Sequence, residues 1–221
     1  MKALTGLRVA ALVALALLLS VSDLLVRQAS ATHQPADKIG VSASVMEVMQ
    51  AQVGPGGGSS GAIELLRATL KTSSPTDLIV QLTGECALWT DVITLGTDSS
   101  QAIANVTVWV EIDGVRVPVT SDSNEDGVFD DPDDGKVVFC NRDLKLSTAG
   151  LLPGQLLDLF IKSRQANAFN WVTFNVGSGT HTIEVKAQLD VLVAGTGEAR
   201  AAVGKRTLIV SPEKLANDVS I

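Results

Sequence analysis

The chain has 221 residues, 17 Lys and Arg against 24 Asp and Glu, a formal net charge of −7, and two cysteines. An acidic chain without a basic patch has little to set against phosphates, which argues against nucleic acid as a partner. The length suits one domain, or one domain with a loose N-terminal segment.

Residues 1–31 read as a signal peptide. Lys2 and Arg8 give a positive start, residues 9–19 are an unbroken apolar run, and Ala29-Ser30-Ala31 fits a small-residue cleavage site. Ser20, Ser22, Asp23 and Arg27 interrupt the run short of the roughly 20 apolar residues of a membrane span. A retained anchor is the alternative. No second long apolar run follows, so no span is expected after cleavage. The mature chain of 190 residues would carry 14 basic and 23 acidic side chains, a net of −9, and would be secreted or held at the cell surface.

Residues 32–61 are expected to hold one strand, near 41–48, and a flexible loop or linker at 54–61, GPGGGSSG. A β-sandwich domain is expected over 62–221. Its strands are predicted near 63–71, 78–89, 104–112, 115–119, 136–141, 169–176, 181–193 and 199–210. The stretch 63–71 is ambiguous, since Ile63, Leu66 and Leu70 also suit a helix. Ala104, Val106, Val108, Val110 and Ile112 take alternate positions, so one face of that strand is apolar. Asp113-Gly114 then separates it from the alternating Val115, Val117 and Val119, a strong hairpin signal because both turn residues need positive φ. Pro118 lacks an N–H, which puts the returning strand at a sheet edge or bulge. Leu156, Leu157, Phe160 and Ile161 at helical spacing predict one short helix over 156–164. About nine strands and one helix make the fold an all-β, antiparallel sandwich, immunoglobulin-like or jelly-roll-like.

Export makes a Cys86–Cys140 disulfide the leading reading, with two buried thiols as the alternative. The run FNVGSGTHTIEVKAQ, residues 174–188, resembles the late strand of bacterial immunoglobulin-like surface domains. Gly179, His181, Ile183, Val185 and Ala187 match that family's Gly-x-His/Tyr-x-Ile/Val-x-Val-x-Ala pattern. The resemblance implies that His181 ties its strand to a neighbouring corner. It covers about fifteen residues; the cysteine positions differ from those of antibody domains, and the N-terminal half does not match. The chain also resembles exported prokaryotic proteins in general, which implies nothing about chemistry.

Residues 122–134 crowd seven carboxylates into thirteen positions, with no Lys or Arg between Val117 and Gly135. Asp122, Asn124 and Asp126, then Gly127, Val128, Asp130 and Asp133, follow the spacing D-x-N-x-D-G-x-x-D-x-x-D. This resembles the EF-hand calcium loop, in its dockerin-type or thrombospondin type 3 forms. There the first, third and fifth side chains converge on the ion, and the sixth-place glycine allows the turn. The seventh carbonyl, here that of Val128, is a ligand. Asp133 stands where bidentate Glu is usual, Pro132 precedes it, and the flanks read as strands. Like charges this close oppose folding unless a cation takes up the charge, and hard oxygen donors suit Ca²⁺ over Mg²⁺ or zinc. A solvated acidic turn is the alternative.

A catalytic role is not expected. His33 lies in the N-terminal tail and His181 opens a strand; no Gly-x-Ser-x-Gly elbow accompanies either, and neither cysteine has a paired histidine. Trp89, Trp109 and Trp171 offer either a sugar-stacking platform or core packing. The leading function is thus a structural or adhesive surface protein, with a cell-surface protein or glycan as partner. A carbohydrate-binding module is second and an exported hydrolase third. If Ca²⁺ binds the loop with a Kd near 10⁻⁴ M, millimolar calcium adds about 1.5 kcal/mol. Thermal melts should then rise by about 3–6 °C from chelator to calcium; identical melts would refute a calcium clip.

Overall fold

The computed structural model describes residues 39–44, 48–53, 55–95, 98–118, 135–147, 152 and 154–215. The signal-peptide segment and the proposed calcium ligands (Asp122, Asn124, Asp126, Val128, Asp130 and Asp133) lie outside the described residues, as does His33.

Eleven strands are described: β1 Gly40–Ser44, β2 Val48–Val53, β3 Gly56–Ser59, β4 Ile63–Thr72, β5 Thr76–Leu95, β6 Ser99–Ile112, β7 Val115–Arg116, β8 Val137–Ser147, β9 Leu156–Val176, β10 Gly179–Ala194 and β11 Thr196–Glu213. All pair antiparallel. β1 and β2 share the same edge of β11, and β3 and β4 the same edge of β10. The two sheets therefore read β1/β2–β11–β5–β9 and β3/β4–β10–β6–β7/β8. Counting each shared edge as one strand gives the orders 1-8-3-6 and 2-7-4-5, the double Greek key of a jelly roll. Of the two expected sandwich types, this is the jelly roll; the immunoglobulin arrangement groups its strands differently.

Period-two burial builds the core. Val106, Val108 and Val110 of β6 join Val185, Ala187 and Leu189 of β10 in one cluster with Leu78, Val80 and Leu82 of β5 and Ala199 and Ala201 of β11. One-residue bulges reset the alternation where it would fail. On β11 the register slips between Val203 and Arg206, so burial passes from odd to even positions. The Arg206 guanidinium is thereby buried, and it donates from Nε to Leu65 O at 3.2 Å and from Nη1 to Gly204 O at 2.8 Å. On β4 the slip falls at Leu65–Leu66, both buried, which is why 63–71 mimics helical spacing while forming a strand.

Three expectations are overturned. The one strand expected within 32–61 is three, β1, β2 and β3. The helix predicted over 156–164 is the first half of β9, paired with β5 from Leu156↔Leu95 through Arg164↔Ala87. β9 is an edge strand with apolar side chains on both faces at this end, and that blurs period two into apparent helical spacing. The Gly-rich stretch at 54–61 is not merely a loop: Gly56–Ser59 forms β3 against Val193–Asp190 of β10. Ser60 secures it, its N–H donating to Leu189 O at 2.9 Å and its Oγ accepting from Leu189 N–H at 3.0 Å. The predicted hairpin holds. Asp113 (φ 52°) and Gly114 (φ 84°) turn β6 into the two-residue edge strand β7, just before Pro118.

The Cys86–Cys140 disulfide forms between β5 in one sheet and β8 in the other, with both residues buried and their Cα atoms 6.6 Å apart. It fits an oxidising compartment. With a sequence separation of 54 residues, its removal in the Cys86→Ala/Cys140→Ala variant should cost about 4 kcal/mol in urea unfolding. A loss below about 1 kcal/mol would show that the staple is dispensable.

Candidate functional site

The acidic loop springs from a closed neck. Val117 N–H donates to Val110 O at 2.9 Å on the outgoing side. On the return, Gly135 takes φ 73°, and a Cβ there would collide with Val117 O, so only glycine brings the chain back so near to its departure. Trp171 Nε1 donates to Gly135 O at 3.1 Å from within the core. Val117 and Gly135, described residues on either side of this segment, are thus held together.

The three tryptophans part ways. Trp171 is fully buried and packs edge-on against Phe169, with ring centroids 4.8 Å apart. Trp109 points away from the core, as the Val106/Val108/Val110 row requires, yet it is only 3% exposed. Arg116 and Lys136 lie over its ring at 5.9 and 5.2 Å, and its Nε1 donates to Glu111 Oε1 at 2.8 Å. Neither ring can serve as an open stacking surface. Trp89 is half-buried on the outer face of the β5 sheet, with Lys162 Nζ 5.1 Å from its ring centroid.

Around Trp89 two cross-strand rows meet. Arg200, Trp89 and Lys162 form one; Glu198, Asp91 and Phe160 form the next. Trp89, Asp91, Phe160, Glu198 and Arg200 line a shallow open depression of about 200 Å³. Glu198 and Arg200 are ion-paired, and Phe160 is 60% exposed. Asp91 Oδ1 is buried without a hydrogen-bond partner among the described residues. Burial, then the charge of Asp158, then a hydrogen bond shared with it hold the Asp91 carboxyl above the usual range. Trp89 was a candidate from the sequence, but the pairing of Phe160 with this row depends on a strand that was expected to be a helix.

The outer face of the other sheet is electrically closed. Arg67 bonds Glu64 at 2.6 Å and Glu184 at 2.5 Å; Lys186 bonds Glu111 at 2.5 Å and Glu184 at 3.3 Å. Burial alone would raise the Glu111 carboxyl, but hydrogen bonds from Lys186 and Trp109 overcome it and hold it below the usual range. His181 is tied to the Asp113 turn. Its Nδ1 lies 2.7 Å from Asp113 Oδ2 and its Nε2 2.9 Å from Gly177 O, while Thr182 N–H donates to Asp113 Oδ1 at 2.8 Å. It joins a strand to a turn, and no nucleophile among the described contacts approaches it. Among the described residues no three acidic, His or Cys side chains converge to hold a metal.

No family model matches the chain, and no curated protein does. Weak matches among solved structures include the infectious bursal disease virus Gx strain, at 14% identity and TM-score 0.23, covering 83% of this chain and 38% of that one. The chain thus spans less than half the length of that protein. Two more carry carbohydrate-binding modules: the CBM36-1 domain of a xylanase from the hindgut metagenome of Trinervitermes trinervoides (11% identity, TM-score 0.20, 77% and 96% covered), and the Podospora anserina GH26-CBM35 β-(1,4)-mannanase (11%, 0.18, 82% and 29%). TM-scores this low do not establish a common fold.

The Asp91 carboxyl gives a signed prediction. Its folded pKa is raised, so the folded state holds its proton more tightly than the unfolded state. The resulting stability is present below the unfolded value and is lost as pH rises through the folded one. The charged form of Asp91, disfavoured by burial and by the charge of Asp158, is the form that opposes folding. Asp91→Asn should therefore raise Tm at pH 7, with the gain fading as pH falls below the ordinary carboxylate range. A lower Tm at pH 7 would contradict this account of the site.

Proposed function

We propose that this protein is an exported, non-catalytic jelly-roll module with a structural or adhesive role at the cell surface, stapled by its disulfide and clipped by calcium in the acidic loop. The observation that carries the reading is the closed neck at Val117, Gly135 and Trp171. A loop whose ends are already fixed pays less entropy when its side chains are ordered around an ion. Asp122, Asn124, Asp126, Asp130 and Asp133 would supply carboxylate and amide oxygens, with the Val128 carbonyl beside them. Calcium would then neutralise a charge that otherwise strains the neck.

Carbohydrate binding is the second reading, favoured by the depression at Trp89. Two aromatic rings on a sheet face offer stacking surfaces to the apolar face of a sugar ring. Asp91 and Glu198 add oxygens that accept hydroxyl hydrogen bonds, and Arg200 donates them. A solvent-facing Phe160 beside an underbonded Asp91 has no evident structural use.

A glycan array with the wild type and three variants tests this. If a saccharide is the ligand, Trp89→Ala and Phe160→Ala should each weaken binding about tenfold, a loss of about 1.4 kcal/mol. Trp109→Phe, whose ring is covered, should bind as the wild type does. Specific binding that survives the first two variants would move the ligand elsewhere. Absence of any binding would leave the structural role alone.

A further inference from the structure

We infer that β9 is a self-pairing edge, joining two copies of the chain through residues 156–164 in antiparallel array. β9 is 21 residues long, pairs with β5 on one side, and has no second strand partner among the described residues. Its first half is unusually apolar for an edge strand: Leu156 and Phe160 are 63% and 60% exposed, and Leu157 and Leu159 are exposed as well. Natural sheets often guard such an edge with proline or a bulge. Here the β5–β9 register runs without a slip from Leu156 to Thr173.

The backbone is oriented for pairing. Ile161 O accepts from Arg142 Nη1, a side chain of the other sheet, so the Ile161 carbonyl points away from β5. In an antiparallel strand the N–H and C=O of one residue point the same way and alternate along the chain. Leu157, Leu159, Ile161 and Ser163 therefore present their backbone groups to the open edge. A carbonyl has two acceptor sites, so Arg142 can stay while Ile161 O takes a second donor.

The sequence is complementary to itself about Phe160. A two-fold centred there sets Leu159 opposite Ile161 of the second copy and Leu157 opposite Ser163, the two hydrogen-bonded pairs. Asp158 then lies opposite Lys162, twice by symmetry, and Phe160 opposite Phe160. These are non-hydrogen-bonded pairs, in which side chains approach most closely. A slip of two residues in either direction breaks up the aromatic pair. In one direction it brings Asp158 opposite Arg164, which Glu85 already holds at 2.5 Å. In the other it leaves Asp158 opposite Phe160. Such an interface is isologous and closes at two copies, because each β9 is consumed by the other.

Sedimentation velocity of the purified protein over a dilution series tests the pairing. A reversible monomer–dimer equilibrium is expected. Asp158→Lys and Lys162→Asp should each weaken dimerisation about tenfold by opposing like charges, and the double swap should restore it. Phe160→Lys, at an exposed position, should weaken it about as much, and this gives a second reading if a swap variant does not fold by circular dichroism. A monomer at every concentration would overturn the inference. So would association that the single variants leave intact, or a double swap that fails to recover a loss common to both singles.

Discussion

Two twisted sheets must close over one apolar layer, and every other feature of this molecule answers to that closure. The layer is built of small and medium aliphatics, Val and Ala on β6, β10 and β11 and Leu and Val on β5, so the sheets approach closely along long strands. Strands of 14 to 21 residues twist too much to keep strict alternation in phase with the opposite sheet. Bulges on β4, β8 and β11 restore the phase, each adding one residue. At the β11 bulge the inward position falls to Arg206, whose charge is tolerated because nearby carbonyls accept its hydrogen bonds. The disulfide crosses the same layer and fixes the sheets' separation at one point.

Closure also decides what the acidic loop is attached to. The Trp171 side chain lies in the core, yet its N–H reaches the carbonyl of the first residue after the loop. A buried indole needs a partner for that N–H, and Gly135 O supplies it. The described chain on either side of residues 119–134 is therefore held from inside the sandwich.

Much of this was legible in the residues. The alternation at 104–112, the Asp113-Gly114 turn and the position of Pro118 each stated their geometry directly, since period and φ are local properties. The cysteine pair was legible because a leader-like N-terminus points to an oxidising compartment, where two cysteines are expected to pair. The 156–164 segment was not, because an edge strand that is apolar on both faces has no period to read. The glycines at 56–58 were not either, since residues without side chains declare no face, and only the open edge of β10 makes them a strand. The Trp89 depression was half legible: the tryptophan was noticed, but its neighbours Phe160, Asp91, Glu198 and Arg200 meet only through strand register. Among three tryptophans, sequence could not say which was covered. That depended on Lys136 and Arg116 folding over Trp109.

The outer faces of the two sheets then argue for different roles. On the β10–β6 sheet, Glu64, Arg67, Glu184, Lys186 and Glu111 satisfy one another across three strands, and Trp109 is capped. A ligand at these residues must first break paired charges. The β5–β9 side is unfinished in two adjoining places. Among the described residues Asp91 has a buried oxygen without a partner beside a second carboxylate, and Leu156 and Phe160 are exposed at an edge strand. The buried Asp91 oxygen costs folding free energy, and neither feature is needed for packing, since both sit outside the apolar layer. Sites that lower stability without serving the core are where binding tends to reside. The paired charge network of one sheet and the Asp91 and Phe160 side chains of the other therefore direct a search for partners to the β9 side of the sandwich.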